Sequence, residues 1–261
     1  MTKTRPRVSV HKLSSCDGCQ LMLLSLEDEL LALSEAVDLV WFAEARSHME
    51  PGPWDVALVE GSITTPEEAE RIAKIRKESA VLVTIGACAI TGGIQALRNS
   101  HPTGRWLRTV YPRPEWLDVL ENVTPVSDHV KVDYELGGCP VEKKELLEVV
   151  TSLLAGRAPQ IASHALCMDC KRAGVVCVTV AHGMPCLGPV THAGCGALCP
   201  SYGRACYGCF GPAEICRPEL LVDRFRRQGI PDAELARMFR GITGNSAPFR
   251  GMAEKLEESN A

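Results

Sequence analysis

Apolar positions in the first half of the chain fall into short continuous runs, separated by stretches with helical spacing. Arg7–His11 (RVSVH), Val37–Ala43 (VDLVWFA), Asp55–Glu60 (DVALVE) and Ala80–Ile85 (AVLVTI) read as strands. The last is an unbroken apolar run closed by Gly86, as a strand covered on both faces requires. Between the runs, Gln20–Ser34 sets Leu21, Leu24 and Leu31 at helical spacing and predicts one helix. Thr65-Pro66-Glu67-Glu68 predicts a helix start: Thr65 as N-cap, proline at the first helical position, and Glu68 closing a capping box, with the helix ending near Glu78. Further on, Val130–Leu136 predicts a strand, Val141–Leu154 a helix with leucines on one face, and the proline-bearing stretch 100–125 a long irregular excursion. This alternation predicts an α/β fold, a parallel sheet with helices on both faces.

From about residue 159 the pattern changes. Residues 159–216 show almost no periodicity and are rich in glycine, proline and cysteine. A stretch this long without regular structure is not expected to fold on apolar burial alone, and metal clusters would supply the missing cross-links. Pro218–Gln228 and Asp232–Arg240 predict two short helices stopped by Gly229 and Gly241. The polar C-terminal end is expected to fray or to lie on a partner. Three segments follow from this reading: 1–158, 159–216 and 217–261.

The chain has 261 residues, 46% of them hydrophobic, with a net charge of −4. Such a balance gives no reason to expect a nucleic-acid or membrane-surface partner. The longest apolar stretches, such as Val175–Ala181, are too short to span a bilayer, and Met1–Ser15 carries neither an apolar run nor a twin-arginine pair. A cytoplasmic location is therefore expected. In that reducing compartment abundant cysteine points to metal or redox chemistry, not to disulfides.

Thirteen cysteines are present, nine of them between Cys167 and Cys216. Three Cys-x-x-Cys pairs occur (Cys16/Cys19, Cys167/Cys170 and Cys206/Cys209), with Cys88, Cys139, Cys177, Cys186, Cys195, Cys199 and Cys216 around them. Thirteen thiols make three four-cysteine sites with one left over. A lone Cys-x-x-Cys could serve zinc, a redox dithiol or an iron–sulfur cluster. Structural zinc would usually show two such pairs at closer spacing, whereas four cysteines stand between Cys170 and Cys206. Clusters suit the array best.

Element order adds a spatial argument. Cys16 and Cys19 follow the first strand, Cys88 the strand ending at Ile85, and Cys139 the one ending near Leu136. In a parallel sheet the C-terminal ends of all strands share one edge, where ligands of open α/β folds bind, so four distant thiols would converge there. Glu60 falls on the same edge; the plain alternative for it is a solvated acid in a loop. Later in the chain, Cys195-x3-Cys199-Pro200-x5-Cys206-x2-Cys209 is similar to bacterial ferredoxin loops, in which the cysteine before proline can serve a neighbouring cluster. Cys167, Cys170, Cys177 and Cys186 then form the other quartet, leaving Cys216 over. His164 stands three residues before Cys167 and could replace a cysteine, though enough cysteines are present without it. His11, His48, His101, His129, His182 and His192 show no paired spacing. No serine–histidine–acid set or phosphate loop is legible; Cys88 interrupts Gly86–Gly93, which is not a dinucleotide fingerprint.

The ordered set Cys16-Asp-Gly-Cys19, Val59-Glu60-Gly61, Ile85-Gly86-Ala87-Cys88, Gly138-Cys139-Pro140, Cys186-Leu-Gly-Pro-Val-Thr191 and Cys206-Tyr-Gly-Cys209 resembles the small subunit of nickel–iron hydrogenases over about residues 7–212. The resemblance implies a flavodoxin-like domain followed by a loop-rich, ferredoxin-like iron–sulfur domain. It implies Cys16, Cys19, Cys88 and Cys139 as ligands of a proximal cluster facing the nickel–iron centre of a separate large subunit. Periplasmic members use a histidine on one cluster and three cysteines on the middle one. Here Cys167 occupies the histidine-like place, and Cys199 supplies a fourth ligand beside Cys195, Cys206 and Cys209. Both departures resemble the cytoplasmic cofactor-coupled branch, and among its members the NAD(P)-linked sulfhydrogenase delta-subunit type. The tandem adjacent cysteines of the related Complex I subunit are absent. The resemblance thus implies an electron relay of three 4Fe-4S clusters, a nickel–iron large subunit as partner, and further flavin/NAD(P)-binding and iron–sulfur subunits. Alternatives are the iron–sulfur subunit of a deazaflavin- or heterodisulfide-reductase-linked hydrogenase, or of an oxidoreductase that is not a hydrogenase.

Overall fold

The computed structural model describes residues 5–259. They divide into two compact units, Met1–Ile161 and Ala162–Ala261.

The first unit is an α/β layer structure. Its strands are β1 (Arg7–Lys12), β2 (Asp38–Phe42), β3 (Trp54–Glu60), β4 (Ser79–Ile85) and β5 (Tyr134–Leu136), all parallel in the order β2-β1-β3-β4-β5. That is the flavodoxin-like order, in which the chain reverses direction across the sheet between β1 and β3. The helices are α1 (Gly18–Leu24), α2 (Asp28–Ala36), α3 (Pro66–Glu78), α4 (Gly86–Thr91), α5 (Thr103–Val110) and α6 (Lys143–Leu154). Alternate strand residues enter two cores. Val8, Val10, Leu58, Val83, Ile85 and Leu136 face one, with Leu146 and Val149 of α6. Ala57, Val59 and Leu82 face the other, with Ile72 and Ile75 of α3. Each fully buried Leu or Ile contributes roughly 1.5–3 kcal/mol, so this sheet is held by apolar burial on both faces. α3 starts as its sequence predicts: Thr65 Oγ1 accepts from the Glu68 N–H at 3.2 Å, Glu68 Oε2 accepts from the Thr65 N–H at 3.2 Å, and the helix ends at Glu78.

Three local expectations are corrected. The single helix predicted over Gln20–Ser34 is broken into α1 and α2, with Glu27 at φ 52. The break turns Leu23 and Leu26 into the core, while Leu21 and Leu31 of the predicted apolar face are 56% and 66% exposed. The strand predicted over Val130–Leu136 begins only at Tyr134. Before it, the Asp133 carboxylate takes the Leu82 N–H at 2.8 Å, a main-chain bond that strand pairing would otherwise use. The irregular stretch 100–125 contains α5.

The second unit has no strands among its described residues, only isolated bridges such as Ala165–His192 and Thr191–Pro212. Its helices are α7 (Leu166–Arg172), α8 (Val178–His182), α9 (Leu198–Ser201), α10 (Pro218–Arg227), α11 (Asp232–Phe239) and α12 (Ala247–Glu258). Of the two expectations for the polar C-terminal end, to fray or to lie on a partner, fraying is corrected: residues 247–258 form α12, which buries Phe249, Ala253 and Leu256. Their spacing of four and three residues puts them on one helical face. They share a core with Phe225, Leu235 and Phe239, and with Leu166, Val178, Leu187 and Val190 of the cysteine-rich segment. That segment therefore does bury apolar surface, against helices that follow it in sequence. Among the described residues no helix is long and apolar enough to cross a membrane.

Candidate metal centres

In the first unit the site begins where strands end. After β1 the chain passes through Ser14 and Ser15 to Cys16, and Asp17 takes a left-handed conformation (φ 65) that starts α1, with Cys19 in its first turn. Lys12 Nζ reaches the Asp17 carboxylate at 2.5 Å, and the Gln20 amide donates to it at 3.2 Å. Glu60, opposite Lys12 at the end of β3, is 2% exposed. Its two oxygens accept the backbone N–H groups of Cys19 and Gln20 at 3.2 and 3.0 Å. The reading of Glu60 as a solvated loop acid is thus overturned: it is a buried brace for the Cys16–Cys19 turn. Burial raises its pKa, opposed by the N–H groups of Cys19 and Gln20.

Cys88 lies on α4, which starts directly from β4 at Gly86 (φ 84). A side chain there would strike Cys19 Sγ, so this approach needs glycine. The Ala87 N–H donates to the Gly138 carbonyl at 2.7 Å, tying α4 to the loop that carries Cys139. Beyond Cys139, the Val141 N–H donates to Cys19 Sγ at 3.5 Å, and a Cβ at Gly18 would touch both Cys16 Sγ and Pro140 Cβ. Four loops thus meet at one sheet edge.

The thiols there feel one another. Burial, then the charges of Glu60, Cys88 and Cys139, push Cys19 up to about 12 against a Val141 hydrogen bond. Burial and the charges of Cys139, Cys16 and Glu60 push Cys88 up to about 11, and burial with Cys16 and Glu60 raises Cys139. A nucleophilic or redox-dithiol cysteine needs the opposite shift. Sulfurs of this kind are held as thiols until a cation binds them, and metal coordination then deprotonates them outright.

In the second unit, α7 carries Cys167 and Cys170, Cys177 precedes α8, and Cys186 is buried. These four line one cavity of about 170 Å³, walled also by Val178, Pro189, Pro200 and Leu221 and by the cations Lys171 and Arg224. A Cβ on Gly188 would stand 3.4 and 3.5 Å from the sulfurs of Cys167 and Cys186, so a bare glycine leaves the cavity open between them. Cys167 is pushed up to about 11 by burial and by Cys186, Cys170 and Cys177. Cys170 is raised by burial and then by Cys186, Cys177, Asp169 and Cys195. Among the described residues no three His, Cys, Asp or Glu side chains meet closely enough for a single metal ion. The cysteines ring a space instead, and a donor set of thiols around a cavity of this size fits a polynuclear iron–sulfur core.

The remaining cysteines are less tightly drawn together. The Cys206 N–H donates to Cys186 Sγ at 3.2 Å, and the Gly208 N–H to Cys206 Sγ at 3.4 Å. Burial pushes Cys206 up to about 12, with Cys186 and Cys209 adding to the rise against bonds from Gly208 and Thr191. Cys195 packs on the core, and Cys199 lies on α9. Cys216 donates to the Val190 carbonyl at 3.7 Å, and burial and Glu219 push it up to about 11. His164 is paired with Asp169 at 2.8 Å, with Arg172 beside both. Sequence reading did not find the Val141 donor or Gln95, whose side-chain oxygen lies 3.3 Å from Cys88 Sγ. A main-chain N–H has no sequence signature, and a lone glutamine has no spacing to betray it.

Residues 16–153 match the family described as NADH ubiquinone oxidoreductase, 20 Kd subunit. The chain is 36% identical to sulfhydrogenase 2 subunit delta of Pyrococcus furiosus over 90% of its own length and 98% of that protein. It is 33% identical to a subunit of the F420-non-reducing hydrogenase of Methanocaldococcus jannaschii, over 80% and 82% respectively. Among solved structures, a chain of an NAD+-reducing NiFe-hydrogenase in the H2-reduced state aligns with a TM-score of 0.56 and 32% identity, covering 60% of this chain and 95% of that one. The sheet order, the meeting of three loops that carry four cysteines at its edge and these similarities agree: the chain belongs to the NADH ubiquinone oxidoreductase 20 Kd subunit family, among its members that resemble nickel–iron hydrogenase small subunits.

Proposed function

We propose that this chain is the electron-transfer subunit of a cytoplasmic nickel–iron hydrogenase. It would relay electrons between the nickel–iron site of a partner large subunit and a flavin/NAD(P)-binding partner, with a further iron–sulfur subunit in the assembly. Three 4Fe-4S clusters would be held by Cys16, Cys19, Cys88 and Cys139; by Cys167, Cys170, Cys177 and Cys186; and by Cys195, Cys199, Cys206 and Cys209. Bound clusters supply one-electron redox chemistry. The chain's own part is to place them, exclude water and direct N–H groups at sulfur, as Val141 does to Cys19 and Gly208 to Cys206. The observation that carries this reading is the junction of three loops bearing four cysteines at one sheet edge, in a chain 36% identical to a sulfhydrogenase delta subunit. A nickel–iron site of this family would need two further Cys-x-x-Cys motifs, one of them towards the C-terminus, and segment 217–261 contains no cysteine. Segments 1–158 and 159–216 would be the proximal-cluster and two-cluster domains, with 217–261 packing on the latter.

The test is purification of the native complex, subunit identification, and an assay of dihydrogen-dependent reduction of NAD(P) and viologen dyes. About twelve iron and twelve sulfide per chain are expected for three four-iron clusters. Cys16→Ser and Cys139→Ser should abolish reduction of every acceptor, whereas Cys216→Ser should leave iron and activity unchanged. Full dye reduction in an assembled Cys16→Ser complex would sink the proximal assignment. Zinc replacing part of the iron would sink the three-cluster count. A second reading is an iron–sulfur subunit of a deazaflavin- or heterodisulfide-reductase-linked hydrogenase, and similarity to the F420-non-reducing hydrogenase of Methanocaldococcus jannaschii speaks for the heterodisulfide-linked type within it, since F420 is a deazaflavin. Dihydrogen oxidation that reduces dyes but neither NAD nor NADP would favour it.

A further inference from the structure

The turn Cys206-Tyr-Gly-Cys209 passes through Gly208 in a left-handed conformation, φ 77. The Gly208 N–H donates to Cys206 Sγ at 3.4 Å, and its carbonyl accepts from the Gly211 N–H at 2.9 Å. A second donor reaches the same carbonyl from the far side of the core: the Thr243 hydroxyl, at 2.7 Å. Thr243 lies in the loop between α11 and α12 and is 2% exposed, so bulk water cannot stand in for that hydroxyl. The loop around it is itself fixed. The Gly244 N–H donates to the Gly241 carbonyl at 2.9 Å and the Ser246 N–H to the Thr243 carbonyl at 3.0 Å, while a Cβ on Gly244 would strike the Phe239 carbonyl.

Gly208 is required twice over, by its φ and by space: a Cβ there would stand 3.2 Å from both Leu187 and Phe249. Glycine is also the residue whose backbone turns most freely, so a ligand turn built on it needs an anchor from outside. Leu187 and Phe249 confine the Gly208 Cα, and Gly211 and Thr243 together hold its carbonyl. With those fixed, its N–H stays on the sulfur. Sulfur is the acceptor in that bond whether it bears a proton or a metal, so the contact survives ligation. We propose that Thr243 is a positioning residue for the Cys206 ligand, pinning the Gly208 carbonyl so that the Gly208 N–H remains directed at the Cys206 sulfur. This rests on the reading of Cys206 as a cluster ligand. An N–H bond to a ligand sulfur stabilises the reduced, more negative cluster, so Thr243 raises the reduction potential of the cluster that Cys206 holds.

The sign of one potential, and its recovery by a second hydroxyl, decide. In the purified native complex, the cluster signal that Cys206→Ser alters is identified by electron paramagnetic resonance. Its midpoint is then measured by redox titration in Thr243→Val and Thr243→Ser complexes. Thr243→Val keeps the branched shape and removes the donor; Thr243→Ser keeps the donor and trims a methyl group. A lower midpoint for that cluster alone is expected in Thr243→Val, with iron content unchanged, and a midpoint at the wild-type value in Thr243→Ser. An unchanged or raised midpoint in Thr243→Val overturns the proposal. So does an equal fall in Thr243→Ser, which would assign the effect to packing, or an equal fall in every cluster. Should Thr243→Val fail to assemble, Thr243→Ala is judged by the same sign. If neither assembles while Thr243→Ser does, the hydroxyl serves folding and the positioning role is lost. Wild-type signals and iron in Cys206→Ser would instead remove Cys206 from the ligands, which is the failure of the underlying reading and not of Thr243.

Discussion

In the first unit, cysteines hang from the ends of strands whose cores are largely aliphatic: Cys16 and Cys139 are exposed, and Cys19 alone enters a core. In the second, cysteines belong to the core itself: Cys186 and Cys206 are buried among Leu187, Val190 and Phe249, and Cys170, Cys195 and Cys216 pack against them. The first unit ties its backbone with a five-stranded ladder, while the described residues of the second have only short helices and isolated bridges. The same chemistry is thus mounted in two ways. One scaffold stands by apolar burial and presents cysteines at its edge; the other packs cysteines into a core that three helices following them complete.

Metal removal should separate the two most strongly. Chelation of the native protein under reducing conditions should leave the amides of β1, β3 and β4 protected from hydrogen exchange while those of 166–216 lose protection, because metal binding in a loop-rich domain is a large part of its folding free energy. Equal loss in both units would break the contrast.

Next in size is the shared core of the second unit. Phe249 is 1% exposed and stacks edge-on against Phe239 at 5.6 Å between ring centres. Phe249→Ala should destabilise that unit by about 3–5 kcal/mol, read by denaturant unfolding, with earlier iron loss from 166–216 and no change in the sheet. Iron retention at the wild-type denaturant midpoint would show that clusters alone hold these loops.

The third prediction concerns pH and the first unit. His11 on β1 is 2% exposed, its ring centre is 4.7 Å from that of Trp54 and 5.5 Å from that of Trp41, and its Nε2 has no hydrogen-bond partner among the described residues. Burial, with Arg71 adding to it, lowers its pKa from 6.5 to about 3. Between those values the unfolded chain binds a proton that the folded chain does not. Stability should therefore fall as pH drops below 6.5, by about 1.4 kcal/mol per pH unit from this residue. His11→Phe should flatten that slope in thermal melts of the first unit; an unchanged slope would remove His11 from the account.

The smallest effect sharpens the claim that the sheet unit is self-sufficient. Thr65→Ala removes one half of the α3 capping box and should cost about 1 kcal/mol, confined to the first unit. A matching loss of stability in the second unit would mean that the two do not respond separately.

The sequence by itself determined much of the first unit. Four of its strands follow their apolar runs within a residue or two, the α3 start is written in Thr65, Pro66 and Glu68, and the convergence of Cys16, Cys19, Cys88 and Cys139 follows from strand direction in a parallel sheet. Tertiary structure decided what periodicity cannot carry. Leu21 and Leu31 look inward by spacing but face out, because the chain turns at Glu27 to bury Leu23 and Leu26 instead. α12 has a helical apolar face in Phe249, Ala253 and Leu256, yet only the neighbouring α10 and α11 give that face a core to enter. Glu60 and Gln95 take their roles from backbone groups of residues 40 or more positions away. Hydrogen bonds of that span depend on where loops meet in space, and a linear pattern of side chains carries no record of such meetings.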